Sequence, residues 1–182
     1  MNFTSSSFTK PTGAAGALTA GTGLIYLAKA NDMTTIATRF ATPTTAEEEV
    51  SVDGDHAFTS GKGFAPFYHD PQITETNLVQ AMNGEGIGAN TMIELTAFYP
   101  GKSFEVEALL KERPELICLV GDIDCGNANY TQIGDRCQKA FISEWSHNQG
   151  NANDTTPKGY TIKIKAYSTS ILNYAGTISI AS

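Results

Sequence analysis

Residues 158–167 alternate without a break: Tyr160, Ile162, Ile164 and Ala166 fall on one side, and Thr161, Lys163, Lys165 and Tyr167 on the other. A period of two predicts a half-buried strand with one wet face. A turn over 173–176 follows, and 177–180 alternates again, so the end of the chain reads as an amphipathic β-ribbon. The same period recurs upstream, where Ile93, Leu95 and Ala97 alternate with Glu94, Thr96 and Phe98 up to a stop at Pro100 and Gly101. Ser103 then caps a predicted helix over 104–113. Val106, Leu109 and Leu110 share one face of it, Glu105 and Glu107 sit in its first turn, and Lys111 and Arg113 in its last. Both charge placements suit the helix dipole, and Pro114 ends the helix.

The remaining segments are short. Residues 23–28 predict a first strand, and 116–120 is apolar throughout, which predicts a strand buried on both faces. A turn over 124–127 leads to a strand ending near Ile133. A further strand is expected over 137–145, with Ala140 and Ile142 facing away from Cys137, Phe141 and Trp145, before a polar loop over 146–157. Many short strands with one lone helix predict a mainly β fold: an antiparallel β-sandwich or barrel with a short flanking α-helix. Residues 1–22, rich in Ser, Thr, Gly and Ala, read as an extended arm ordered only by a partner. Residues 23–182 then form one domain, large enough for a core without staples.

Between 43 and 71 the chain reads as a long acidic loop or an exposed hairpin. From Pro43 to Glu75 it carries Glu47, Glu48, Glu49, Asp53, Asp55, Asp70 and Glu75 against the single base Lys62. Loops of this length in a compact domain are usually functional or engaged with a partner. The stretch from Lys158 onward is the reverse, with three lysines and no acid. Opposite charge on two parts of one chain suits head-to-tail assembly, which makes Glu47, Glu48, Glu49, Asp53, Asp55, Lys163 and Lys165 the candidate interface residues.

Charge and composition narrow the function. A net charge of −7 and a pI near 4.9 disfavour nucleic-acid binding, which needs clustered Lys and Arg. No apolar run reaches the roughly 20 residues of a membrane span. The start of the chain lacks the hydrophobic block of a secretory signal, so the chain is expected to stay where it is made. Cys118, Cys125 and Cys137 are an odd set at spacings unsuited to zinc and fit a reducing compartment, with Cys118 as a core residue. Asp122, Asp124 and Gly126 hint at a calcium loop but lack its later ligands, so a turn is expected there. Gly84, Gly86 and Gly88 lack full nucleotide-binding spacing and precede a strand. His56, His69 and His147 lie far apart, near no nucleophile motif. With no assembled set of catalytic roles, an enzyme is not expected, nor a cofactor or metal.

The series of Gly61, Gly63 and Phe64, then Gly84 and Gly86, then Phe98 to Gly101 before a short helix continues with Asp122 to Gly126, Ile133 and Gly134, Gly159 and Tyr160, and Tyr174 with Gly176. Over residues 57–182 this pattern resembles tailed-bacteriophage virion proteins, in particular tail tube and related ring subunits. The resemblance implies a small β-sandwich that self-assembles into stacked, hexameric rings, with an arm and a long loop interlocking neighbours. It implies a homo-oligomer in contact with other virion proteins, assembled in the host cytoplasm and located in the virion, through which DNA passes without specific binding. Two alternatives stay open: another virion part (capsid decoration, connector ring or fibre subunit), or a stand-alone β-sandwich module binding, for example, carbohydrate. The module calls for an exposed aromatic platform, whereas Trp145, the single tryptophan, is expected in the core.

Overall fold

The computed structural model describes residues 2–4, 8, 25–69, 77–83, 90–121, 129–150, 157–168 and 172–182. In chain order the elements begin with strands β1 (Ile25–Lys29), β2 (Met33–Thr35) and β3 (Thr38–Arg39), helix α1 (Ala46–Glu49), and strands β4 (Val52–Asp53), β5 (Ala57–Phe58) and β6 (Ala65–Phe67). They continue with β7 (Asn77–Asn83), β8 (Asn90–Pro100), helix α2 (Phe104–Glu112), β9 (Leu116–Gly121), β10 (Tyr130–Ile133), β11 (Phe141–Asn148), β12 (Gly159–Ser168) and β13 (Asn173–Tyr174).

Two antiparallel sheets face one another. One is five-stranded in the order β13-β10-β9-β1-β6, the other four-stranded in the order β11-β12-β8-β7. Strand alternation assigns the core. Ile93, Leu95 and Ala97 of β8 and Tyr160, Ile162, Ile164 and Ala166 of β12 pack against Ile25, Leu27, Leu116, Cys118, Val120 and Ile133 of the opposite sheet. Val106, Leu109 and Leu110 of α2 join this cluster as their helical spacing predicts. The Ser103 hydroxyl accepts from the Val106 N–H at 3.3 Å, which satisfies a donor the first turn would otherwise leave unpaired. At the far end Arg113 terminates the helix in the left-handed region at φ 46°. The buried Lys29 at the end of β1 donates to Glu112 at 2.5 Å and so ties the helix to the five-stranded sheet.

The five-stranded sheet is also covered on its other face. Ala28 of β1 and Ile117 and Leu119 of β9 point into a second core with Ala37, Val52, Phe64, Leu172 and Tyr174. This accounts for the unbroken apolar run at 116–120: alternate residues feed two different cores. Its second cover is the stretch expected to be a long acidic loop. That stretch contains α1, β4, β5 and β6, and β6 pairs with β1 in the main sheet. Val52, His56, Phe64, Ala65 and Phe67 are buried, while α1 and residues 53–55, 57 and 59–61 stay solvated.

Three further expectations change. Phe3 and Phe8, placed by sequence in an arm held by a partner, are buried in this chain's own first core, where their rings meet edge to face at 5.1 Å. The Phe8 carbonyl accepts from the Tyr68 N–H at 2.9 Å. The end of the chain is not a ribbon continuing β12. After β12 the chain crosses to the other sheet, β13 pairs with β10, and 177–180 makes only an isolated bridge, Ile180 to Phe64. Gly63 permits this crossing, since a Cβ there would lie 2.5 Å from the Ser179 carbonyl oxygen. Finally, β11 begins at Phe141 and runs to Asn148, which leaves Cys137 in the preceding turn and takes His147 out of the expected loop. The expected turns at 84–88 and 122–127, Cys125, and most of residues 1–22 lie outside the described residues.

Burial of Phe8 sets a test of this architecture. Phe8→Ala should destabilise the subunit by about 3–5 kcal/mol through lost burial and a residual cavity. Urea denaturation of the two proteins measures the difference, and unchanged stability would return Phe8 to the arm.

Candidate functional site

The seven predicted interface residues do not form one surface. Lys163 and Lys165 lie on the outer face of the four-stranded sheet, whereas Glu47, Glu48, Glu49, Asp53 and Asp55 lie on the layer covering the far face of the other sheet. The whole sandwich separates them. Several are also occupied within the chain. Lys163 pairs with Glu144 at 2.6 Å and Lys165 with Glu94 at 2.7 Å, both across neighbouring strands. Each lysine is held above its ordinary pKa by the carboxylate it donates to. Glu48 caps its own helix: its carboxylate accepts from the Thr44 N–H at 2.6 Å, which lowers its pKa, while its N–H donates to the Thr45 hydroxyl. Asp55 accepts from the Thr177 N–H at 2.7 Å and so fastens the C-terminal crossing. Glu47, Glu49 and Asp53 are exposed and have no polar partner among the described residues.

The histidines have separate environments. His56 is buried in the second core, where its Nδ1 accepts from the Ala37 N–H at 3.1 Å. The ring proton therefore sits on Nε2, which donates to Gln132 Oε1 at 3.0 Å, and Gln132 in turn donates to the Gly134 carbonyl. Tyr174 stacks on the imidazole at 4.6 Å. Burial lowers the His56 pKa, and the Gln132 contact opposes this only in part. The residue is a structural node inside a sealed layer.

Exposed apolar side chains mark a different surface. The outer strands of the four-stranded sheet, β7 and β11, each have one strand neighbour among the described residues. Both expose large apolar groups: Val79 and Met82 on β7, with Met82 73% exposed, and Phe141 and Trp145 on β11. Trp145, expected in the core, is 43% exposed. It lies on an edge strand, which leaves one side of its ring uncovered, and its direction is set by a bulge at Ser143, between the pairs Ile142–Ile164 and Glu144–Lys163. One extra residue reverses the alternation, so Trp145 pairs with Ile162 and turns toward the α2 side of the sheet, at its very edge.

There Trp145 borders a groove of about 550 Å3 between α2 and β11, with Glu107, Leu110, Lys111, Arg113, His147 and Tyr160. His147 stacks flat on Tyr160, with ring centres 4.1 Å apart. The Tyr160 hydroxyl donates to Glu107 Oε1 at 2.7 Å, and burial followed by that contact pushes its pKa up to about 12. Sequence reading missed this groove because the bulge has no sequence signal. It also passed over β7, whose Leu-Val-Gln-Ala-Met core is too short to show a period.

Among the described residues no group of His, Cys, Asp and Glu is placed to hold a metal ion, and no helix is long and apolar enough to cross a membrane. Cys118 is fully buried, which raises its thiol pKa and keeps it out of chemistry, while Cys137 is exposed in the turn before β11. No protein-family model, no curated protein and no solved structure matches this chain.

The His56 node predicts an acid-sensitive fold. Its folded pKa lies below the unfolded value of about 6.5, so as pH falls through that value the unfolded chain gains a proton that the folded imidazole refuses. Stability contributed by the neutral ring is complete above that pH and declines below it until the folded pKa is reached. His56→Gln should flatten this part of the profile, as read from urea midpoints between about pH 5 and 8. Parallel profiles for the two proteins would refute the assignment.

Proposed function

We propose that this chain is a structural subunit of a phage tail tube, which self-assembles through the edges of its four-stranded sheet into stacked rings around a channel. The observation that carries this reading is the pair of open edges. Strands β7 and β11 lie at opposite sides of one sheet, and each exposes apolar side chains beside backbone groups without a strand partner among the described residues. A sheet edge of this kind recruits another strand unless it is blocked. Joining β7 of one subunit to β11 of the next is a head-to-tail contact, and a head-to-tail contact that closes makes a ring. The resemblance to tail tube subunits supplies the expectation of hexamers and of neighbouring virion proteins as partners.

Charge supports the same arrangement. Lys163 and Lys165 are the lysines on the outer face of β12, and both are matched by glutamates of adjacent strands. If that face lines the channel, it presents no unmatched lysine to hold DNA, and DNA can slide past it. The exposed Glu47, Glu49 and Asp53 on the opposite outer layer remain for contacts with other virion proteins.

Size-exclusion chromatography with negative-stain microscopy tests the proposal, and rings or tubes are the expected result. Met82→Lys and Phe141→Lys should each abolish them while leaving the melting temperature within a few degrees of wild type, because both side chains are exposed. A monomer at every concentration, or rings undisturbed by both substitutions, would overturn edge-to-edge assembly.

A further inference from the structure

The groove beside Trp145 has features that edge-to-edge assembly does not require. It combines a half-exposed indole, an imidazole backed by a buried phenol, a carboxylate and two cations in one place. We propose that this groove binds an acidic saccharide, with Trp145 as the stacking surface and Lys111 and Arg113 as the carboxylate-binding groups. The proposal goes beyond the assembly reading and does not rest on it.

Size and shape come first. A groove of about 550 Å3 falls within the range of small-molecule sites. The C–H groups on one face of a pyranose ring carry slight positive charge and form a flat apolar patch, which suits the negative face of an indole. Among the described residues no aromatic ring stacks on Trp145, whereas His147 is already held flat by Tyr160. His147 is therefore positioned to offer a ring nitrogen at a fixed place, an arrangement that lowers the ordering cost of binding.

Charge then selects among saccharides. Glu107 is the acid in the lining, and its Oε1 takes both the Tyr160 hydroxyl and, at 3.7 Å, the Lys102 ammonium. Its Oε2 is left to accept from a sugar hydroxyl. With Glu107 balanced by Lys102, Lys111 and Arg113 make the groove locally basic on a chain whose net charge is −7. The Arg113 Nε–H donates back to the Leu110 carbonyl at 3.3 Å, which fixes the guanidinium at the end of α2. A neutral sugar would leave these cations unused, while a uronate or sialate carboxylate meets them with charge-assisted hydrogen bonds.

The single tryptophan makes the test direct, since emission excited at the red edge, where the seven tyrosines do not absorb, reports this groove alone. The full-length protein is titrated with trisaccharides containing galacturonate, glucuronate or sialate, and with the neutral galactose trisaccharide. Calorimetry on the same samples detects any binding that leaves the emission unchanged. The expected result is a saturable emission change with an acidic trisaccharide and at least about tenfold weaker binding of the neutral one. Lys111→Ala should weaken the acidic ligand by about tenfold, consistent with loss of one charge-assisted contact at an exposed position. Trp145→Ala should abolish the calorimetric signal with the fold retained by circular dichroism. Equal affinity for acidic and neutral ligands, or no response to any of them, would overturn the proposal. The titrations are repeated on the assembly-blocked Met82→Lys chain, in which an emission shift driven by protein concentration alone would also overturn the proposal, since a second copy would then cover Trp145. Rings that form while no saccharide binds would refute this site and leave the assembly reading standing.

Discussion

An antiparallel sheet with one wet face needs a single covering layer, but the sheet built around β1 and β9 has no wet face and needs two. Ile25 and Leu27 look one way and Ala28 the other, as do Leu116 and Cys118 against Ile117 and Leu119. The four-stranded sheet and α2 supply the first cover. The second is assembled from distant pieces, with Val52 and Phe64 from the acidic stretch and Leu172 and Tyr174 from near the end of the chain. The crossing after β12, the close approach at Gly63 and the Asp55 contact to Thr177 all serve this second closure.

The second cover carries a polar centre where an apolar one would suffice for burial. His56, Gln132 and Tyr174 satisfy one another and nearby backbone groups, so their desolvation is compensated. Hydrogen bonds have direction and apolar contacts do not. The node therefore fixes how the layer sits on the sheet: the Ala37 N–H and the Gly134 carbonyl must both be in place for its bonds to form.

Regular alternation made much of this legible. β12 and β8 were readable because each spans enough residues for a period to show, the two-sided β9 because it is a short unbroken apolar run, and α2 because Ser103, its apolar face and its charged ends agree. The rest depended on events without a local signature. A single extra residue at Ser143 decided which way Trp145 turned, and with it the existence of the groove. Phe3 and Phe8 are isolated aromatics among small polar residues, and only the three-dimensional core shows where they belong. The charges of Lys163 and Lys165 were legible, but their neutralisation was not, since Glu94 and Glu144 become neighbours only through strand register.

The way the second core is sealed also sets an order of events during synthesis. Phe64 receives its last backbone partners from Ser179 and Ala181, and Leu172 and Tyr174 complete the apolar contacts around it. A nascent chain that has not yet released these residues from the ribosome leaves part of one face of β1 and β9 uncovered. Such long-range closure is slow, and a half-covered sheet is open to wrong partners until it completes. The first core, from Phe3 to Ala166, can form earlier. A growing chain would therefore acquire its two edge strands before its far side is closed, and its exposure to premature pairing would be greatest in the interval between residues 168 and 181.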